Sequence, residues 1–333
     1  MDRLEGAVRE RLQFAARTPL RREILRGLGL GDADLRRLVR RKHLWHHHGH
    51  YMDGRLDEHV AVIACAHAAY PGSVVSHFSA ARLAELRTWT DNARSSAPPT
   101  DAAWLTRPPT AARNHHRRNI VVRRAGLPTD HVSQHRRLPV TTIARTVVDL
   151  ARELPLREAI VTVDHALQLG TTMTELQAVA GQQERWPGIS RARSAIDFGD
   201  ARSESVLESI SRAAFAAAGL PEPVLQAQFF DGFGWMLERV DFWWPEFRTV
   251  AEADGLAKYE ADTPAERRHR IRRAHRRDQR LSDRGVELVH FGWEDVVGTP
   301  ADLVARLRGA FARGATRTAP PPTWRIAPVQ LVA

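Results

Sequence analysis

An α/β fold, α+β overall, is predicted for this chain of 333 residues, and three observations lead there. The first fifty residues read as helix, glycine-rich turn, basic helix and hairpin, the outline of a winged helix-turn-helix. Residues 113–145 mix short β-branched runs with arginine, which suits a mixed α/β middle region with a basic sheet. From residue 203 on, caps, turns and alternation spell out the order α-β-β-β-α-β-α. The domains expected are therefore 1–55, 56–195 and 196–315, followed by a loosely ordered tail over 316–333.

The first element, residues 20–30, reads as a helix stopped by Gly27, Gly29 and Gly31. Asp32 or Asp34 then caps a second helix to about Lys42. Leu35, Leu38 and Val39 lie at i, i+3 and i+4 and form its inward stripe. Arg36, Arg37, Arg40 and Arg41 fall outside that stripe, with Lys42 just after them. An isolated helix of this kind is usually a solvated face. Set between a preceding helix and a following hairpin, it reads instead as a helix for the major groove of duplex DNA.

Residues 43–51 form the expected hairpin, with Gly49 near its end and five histidines: His43, His46, His47, His48 and His50. On one continuous strand His46, His48 and His50 would share a face, which would suit an imidazole-binding ion. No acidic or cysteine co-ligand lies nearby. The preferred reading places His46 and His48 on a wing near phosphate.

Residues 57–86 look helical, interrupted by Pro71-Gly72-Ser73, and 88–109 look looser. Cys65 is the sole cysteine, which excludes internal disulfides and Cys-paired zinc; within its apolar run it reads as a buried thiol. Residues 113–145 hold eight arginines against one acid, Asp130, with a strand expected near 119–122. Residues 146–169 read as helical, with Val147, Leu150 and Ala151 giving a helical stripe. The tail after Gly314, with Pro320-Pro321-Pro322, reads as unstructured or loosely docked.

In the last third, residues 203–218 form a helix closed by Gly219, and strands follow at 224–230, 235–243 and 248–253. Thr263-Pro264-Ala265-Glu266 is a capping box that starts a helix running to about Asp283. A strand at 286–291 and a helix from Thr299-Pro300 complete the set. Asp241 interrupts an apolar strand, and Glu252 and Asp254 share a face by period two. If the two strands pair through the Pro245 turn, the three acids converge, and converging carboxylates call for a cation, naturally a hard divalent one. Lys258 follows four residues later. Glu204, Glu208 and Arg212 form an i, i+4, i+8 row on the preceding helix. The plainer readings are a Ser205–Glu208 capping box, a Glu208–Arg212 pair, an Asp254-Gly255 turn, and Asp241 paired with Arg239 or Arg248.

These residues carry a resemblance. Residues 203–311 resemble the restriction-endonuclease-like PD-(D/E)xK superfamily, in the branch similar to very-short-patch-repair endonucleases. The resemblance rests on Glu204 to Ser209, Val240-Asp241, Glu252-Ala253-Asp254-Gly255, Lys258, and Arg277-Asp278 with Leu281 and Gly285. It implies Mg²⁺- or Mn²⁺-dependent hydrolysis of DNA phosphodiesters. Asp241 and Glu252 would hold the metal with the Ala253 carbonyl, Glu208 would orient a second ion or a water, and Lys258 would stabilise developing charge. Asp254 stands where the superfamily's usual motif has lysine. The N-terminal portion resembles AbiEi-type antitoxins, through residues 35–51, Ser76 to Ala81, and 139–149 with Arg145-Thr146 and Asp149.

Charge supports a polyanionic partner. The net charge is +10, and of 49 basic residues only Lys42 and Lys258 are lysines. Neither precedes Ser or Thr, which excludes a Walker-type phosphate loop. The run 267–280 holds eight arginines and two histidines against Asp278, and Arg272, Arg273 and Arg276 are its candidate phosphate contacts. The absence of an apolar leader or a long apolar span predicts a cytoplasmic protein with no membrane association. The partner expected is double-stranded DNA, together with a cognate toxin or defence-system partner. The leading expectation is a metal-dependent endonuclease in phage defence, a toxin–antitoxin system or repair. The alternative is a non-catalytic regulator or antitoxin that uses the nuclease fold for binding, and RNA is a third target class.

Overall fold

The computed structural model describes residues 18–91, 98–111, 119–231, 233–234, 236–254, 264–318, 320, 322–329 and 331; of these, the side chains of 236, 237, 264, 265, 267, 270, 271 and 273 are not described. The chain divides into two compact units, residues 1–86 with 90–150, and residues 87–89 with 151–333. Both are mixed α/β, as expected for the fold class.

The first unit opens with strand β1 (Leu20–Arg21), helices α1 (Arg22–Gly27) and α2 (Asp32–Arg40), and hairpin strands β2 (Leu44–His47) and β3 (His50–Asp53). These strands make a sheet of order β1-β3-β2. Residues 20–30 are thus not one helix: Leu20 and Arg21 pair with Tyr51 and His50 instead. Leu25, Leu30, Leu35, Leu38, Leu44 and Tyr51 make the core here, each buried leucine worth about 1.5–3 kcal/mol. Gly31 stands at the start of α2, and the Asp34 carboxylate accepts its N–H at 3.2 Å. At the base of the wing the Gly54 N–H donates to the His43 carbonyl at 2.9 Å. A Cβ on Gly54 would sit 1.9 Å from the Lys42 carbonyl oxygen, so only glycine closes the hairpin there.

The same unit continues with α3 (Glu58–Ala69), β4 (Val74–Val75), α4 (His77–Leu83), β5 (Ala103–Arg107), β6 (Ile120–Arg124), β7 (Val132–His135) and β8 (Leu138–Thr141). Asp57 caps α3 by accepting from the N–H groups of His59 and Val60. The five strands order as β6-β5-β4-β8-β7. The stretch 88–109, expected to be loose, therefore supplies β5, a strand buried through Trp104 and Leu105. Of the strands in the middle region, β6 carries Arg123 and Arg124, while β7 and β8 hold no arginine and Arg136 and Arg137 lie in the turn that joins them; Arg113, Arg117 and Arg118 lie outside the described residues.

Residues 146–169 are helical as expected, in two helices: α5 (Ile143–Glu153) and α6 (Leu156–Gln168). Pro155 separates them, because it lacks an N–H and disfavours helical backbone at Leu154. Helices α7 (Met173–Gly181) and α8 (Ile189–Asp197) follow. Next come α9 (Val206–Ala217), β9 (Val224–Phe230), β10 (Met236–Trp244), β11 (Thr249–Ala253), α10 (Pro264–Ser282), β12 (Glu287–Phe291) and α11 (Pro300–Ala315), in the order expected. Strand β13 (Thr323–Ile326) overturns the loose tail: it pairs antiparallel with β9, and the sheet reads β12-β11-β10-β9-β13. On β10, Phe242 and Trp244 join the core with Phe215 of α9 and Phe311 of α11. Trp243 points the other way, into a core that holds Leu281 of α10. Strict alternation breaks at Asp241, since Val240 joins the same core as Trp243. Among the described residues no helix is long and apolar enough to cross a membrane.

Candidate nucleic-acid interface and carboxylate cluster

The wing and α2 form the first candidate site. Leu35 and Leu38 are buried, while Arg36, Arg37, Arg40, Arg41 and Lys42 are all exposed. Arg37 is tied to Asp34 at 3.0 Å. Arg22 and Arg26 both hold Asp32, at 2.6 and 2.7 Å, fastening α1 to the start of α2. Among the described residues Arg36 and Arg40 make no ion pair with an acid. Their charge is therefore available to a partner rather than spent within the fold.

The histidines do not share one face. His47 pairs with His50 across the hairpin, so His48 and Gly49 form its two-residue loop, both with positive φ, 52° and 79°. The chain reverses between His46 and His50, and the period-two argument fails there. His46 stacks on Tyr51 with ring centroids 4.3 Å apart, and His50 is buried. Burial first, then nearby Arg22, holds the His46 imidazole below its usual range. At neutral pH this ring offers hydrogen bonds rather than charge.

The second candidate is the carboxylate cluster. Strands β10 and β11 pair antiparallel from Trp244 opposite Thr249 to Phe242 opposite Ala251, and the ladder ends one residue short of Asp241 and Glu252. Asp241 Oδ2 accepts the N–H of Ala253 at 2.9 Å. Glu252, 2% exposed, is held by the guanidinium of Arg277 on α10, which also reaches Glu238 at 3.4 Å. Arg277 donates to the Arg239 carbonyl as well, at 3.0 Å. Arg280 binds Glu238. Asp254 meets His290 Nδ1 at 2.9 Å, and the other ring nitrogen meets Asp278 at 3.0 Å. These flanking acids, Asp254 before all, hold the His290 imidazole above its usual range. Lys258 and Gly255 lie outside the described residues.

Ser205 caps α9, its Oγ accepting the Glu208 N–H at 3.2 Å, but the reciprocal half of the expected box is displaced: the Glu208 carboxylate accepts from Ser205 Oγ at 2.7 Å and from the N–H of Glu204, one residue before the cap, at 2.9 Å. Glu208 makes no pair with Arg212, whose guanidinium goes instead to buried Asp164 at 3.0 Å, Ser203 and the Phe198 carbonyl. Glu204 takes Arg239 through two bonds of 2.6 and 2.8 Å, so Arg239 is not the partner of Asp241. Burial, and next the Asp241 charge, raise Glu208 to about 7 from an ordinary 4.5. A carboxyl raised on folding binds more protons folded than unfolded, so its contribution to stability is lost as pH rises through 7. Each tenfold change in proton affinity is worth about 1.4 kcal/mol, so the loss is on the order of 3 kcal/mol. Glu208→Gln is expected to make the fall in melting temperature between about pH 5 and pH 8 shallower. Parallel melting curves for variant and wild type would contradict that placement.

The acids do not gather as a metal site. Among the described residues no group of three or more His, Cys, Asp or Glu side chains is placed to hold an ion. Glu252 already has a cation against it, and Asp241 is engaged by the main chain. As arranged, these residues do not fit Mg²⁺ or Mn²⁺. Cys65 is equally unsuited to chemistry, since burial pushes its thiol up to about 12.

Arg277, Glu238, Arg239 and His290 are the participants that the sequence did not mark as site residues. Alternation on β11 and pairing through the Pro245 turn placed the acids, but which helix arginine reaches them depends on how α10 docks. On the outer side of α10, Arg268, His269, Arg272, His275 and Arg276 are exposed, spaced along the helix; the Arg273 side chain is not among those described.

The chain is similar to known proteins over part of its length. Residues 73–198 match the AbiEi antitoxin C-terminal domain. The matched stretch runs from β4 to the end of α8 and includes Arg145-Thr146 and Asp149. Two uncharacterized proteins of Mycobacterium tuberculosis, MT2308 of strain CDC 1551 and Rv2248 of strain H37Rv, are each 34% identical to this chain over 168 residues. The similarity covers 50% of this chain and 59% of either relative, so the chain spans less than two thirds of these relatives.

Proposed function

We propose that this chain is a duplex-DNA-binding regulator of the antitoxin kind, with a C-terminal unit that binds rather than cuts. The observation that carries the reading is the exposed arginine face of α2, framed by a wing whose sheet is closed by β1. Arg36, Arg40, Arg41 and Lys42 supply phosphate and base-edge donors, and His46 and His48 lie on the neighbouring wing. The match of residues 73–198 to an antitoxin domain supports the same reading, in which the protein partner is a cognate toxin. The outer face of α10 adds a second polycationic surface for the DNA backbone.

A second reading, a metal-dependent endonuclease, draws on the α-β-β-β-α-β-α order and on Asp241 bonded to the Ala253 N–H, next to Glu252. The Arg277 contact weighs against it. The two separate in one assay on the purified full chain. Supercoiled plasmid with Mg²⁺ or Mn²⁺ stays intact, while DNA from upstream of the chain's own coding sequence binds with strong salt dependence. Nicking that disappears in Asp241→Ala would reverse the choice.

A further inference from the structure

We infer that Arg277 is the resident cation of the carboxylate cluster, filling with a guanidinium the role a divalent ion would otherwise have beside Glu252 and Glu238. Buried carboxylates that face one another repel and lose hydration, so a cation is required whatever its origin. Glu252 is 2% exposed and Glu238 12%. Both turn towards α10, and one guanidinium bridges them while bonding the Arg239 carbonyl between the strands. Arginine suits this place because its planar, permanently charged fork serves several acceptors at once.

The neighbouring ties belong to the same device. Asp278 and Arg280 flank Arg277, and they hold His290 and Glu238. Leu281 is buried in the core beneath. One end of α10 is thus a plug in an acidic socket, and its other contacts leave Arg268, Arg272 and Arg276 outward. A metal ion and Arg277 compete for the same oxygens. The cluster is therefore a docking socket that orients the polycationic helix, and it excludes divalent ions while the helix is seated.

This deepens the non-cutting reading of the C-terminal unit and rests on it. Its test reads metal rather than DNA, so either claim can fail without the other. Free Mn²⁺ is followed by electron paramagnetic resonance during titration of the full chain. Wild type and Arg277→Lys are expected to show no saturable site. Arg277→Met gains one that is at least about tenfold tighter than any wild-type binding, and adding Glu252→Gln removes it. A wild-type site that is lost in Glu252→Gln would overturn the inference, as would a folded Arg277→Met with no gain. Should Arg277→Met not fold, the wild-type and Glu252→Gln titrations decide alone: no Glu252-dependent site sustains the inference, and such a site ends it.

Discussion

Replacing Asp149 by alanine is expected to cost about 3–5 kcal/mol of unfolding free energy, a large share of the stability of an ordinary domain. Arg145 and Asp149 are each 1% exposed and joined at 2.8 Å, one helical turn apart on α5. Arg145 also donates to the Gly126 carbonyl at 3.1 Å and meets His131 at 3.3 Å. Burial first, and the Arg145 charge next, keep His131 below its usual range and so neutral. Removing the carboxylate strands a guanidinium where water cannot reach it. Arg145→Met combined with Asp149→Ala removes the stranded charge, so the double variant should recover part of the loss. Urea unfolding followed by circular dichroism measures both. A loss under about 1 kcal/mol for Asp149→Ala would mean that the pair is not the closed unit described.

The second large effect concerns binding. Arg36→Ala together with Arg40→Ala is expected to weaken duplex DNA affinity by roughly a hundredfold, taking about 1.4 kcal/mol per charged phosphate contact. Both side chains are exposed on α2 and carry no structural ion pair among the described residues, so stability should stay within about 0.5 kcal/mol of wild type. Binding and folding thus separate cleanly in this variant. Arg37→Ala should do less to binding, because Asp34 already takes much of its charge at 3.0 Å.

Much of the fold was legible in the chain. Capping residues and alternation located every element from α9 to α11, and Leu35 and Leu38 pointed inward as their spacing required. What escaped depends on partners distant in sequence. Two-residue β1 exists because Tyr51 and His50 pair with it. Strand β13 lies just beyond a proline run, and its order comes from the edge of β9. The Pro155 break was written in the sequence, because proline disfavours helical backbone at the residue before it. His48 illustrates a further limit, for a two-residue turn resets the alternation that a strand argument assumes. At the carboxylate cluster, period two puts Glu252 and Asp254 on one side of the sheet, and pairing through the Pro245 turn brings Asp241 near them. Neither says which cation meets them, because Arg277 reaches Glu252 only through the docking of α10.

Whether the arginine face of α2 is a DNA interface is tested most directly by the salt dependence of binding. Fluorescence anisotropy of a labelled duplex, titrated with wild type and with Arg36→Ala/Arg40→Ala from roughly 50 to 200 mM salt, yields the slope of log affinity against log salt. Two lost phosphate contacts should make that slope shallower by about 2, since each contributes about 0.9. An unchanged slope and affinity in the folded double variant would contradict a DNA-facing α2 and move recognition away from this helix.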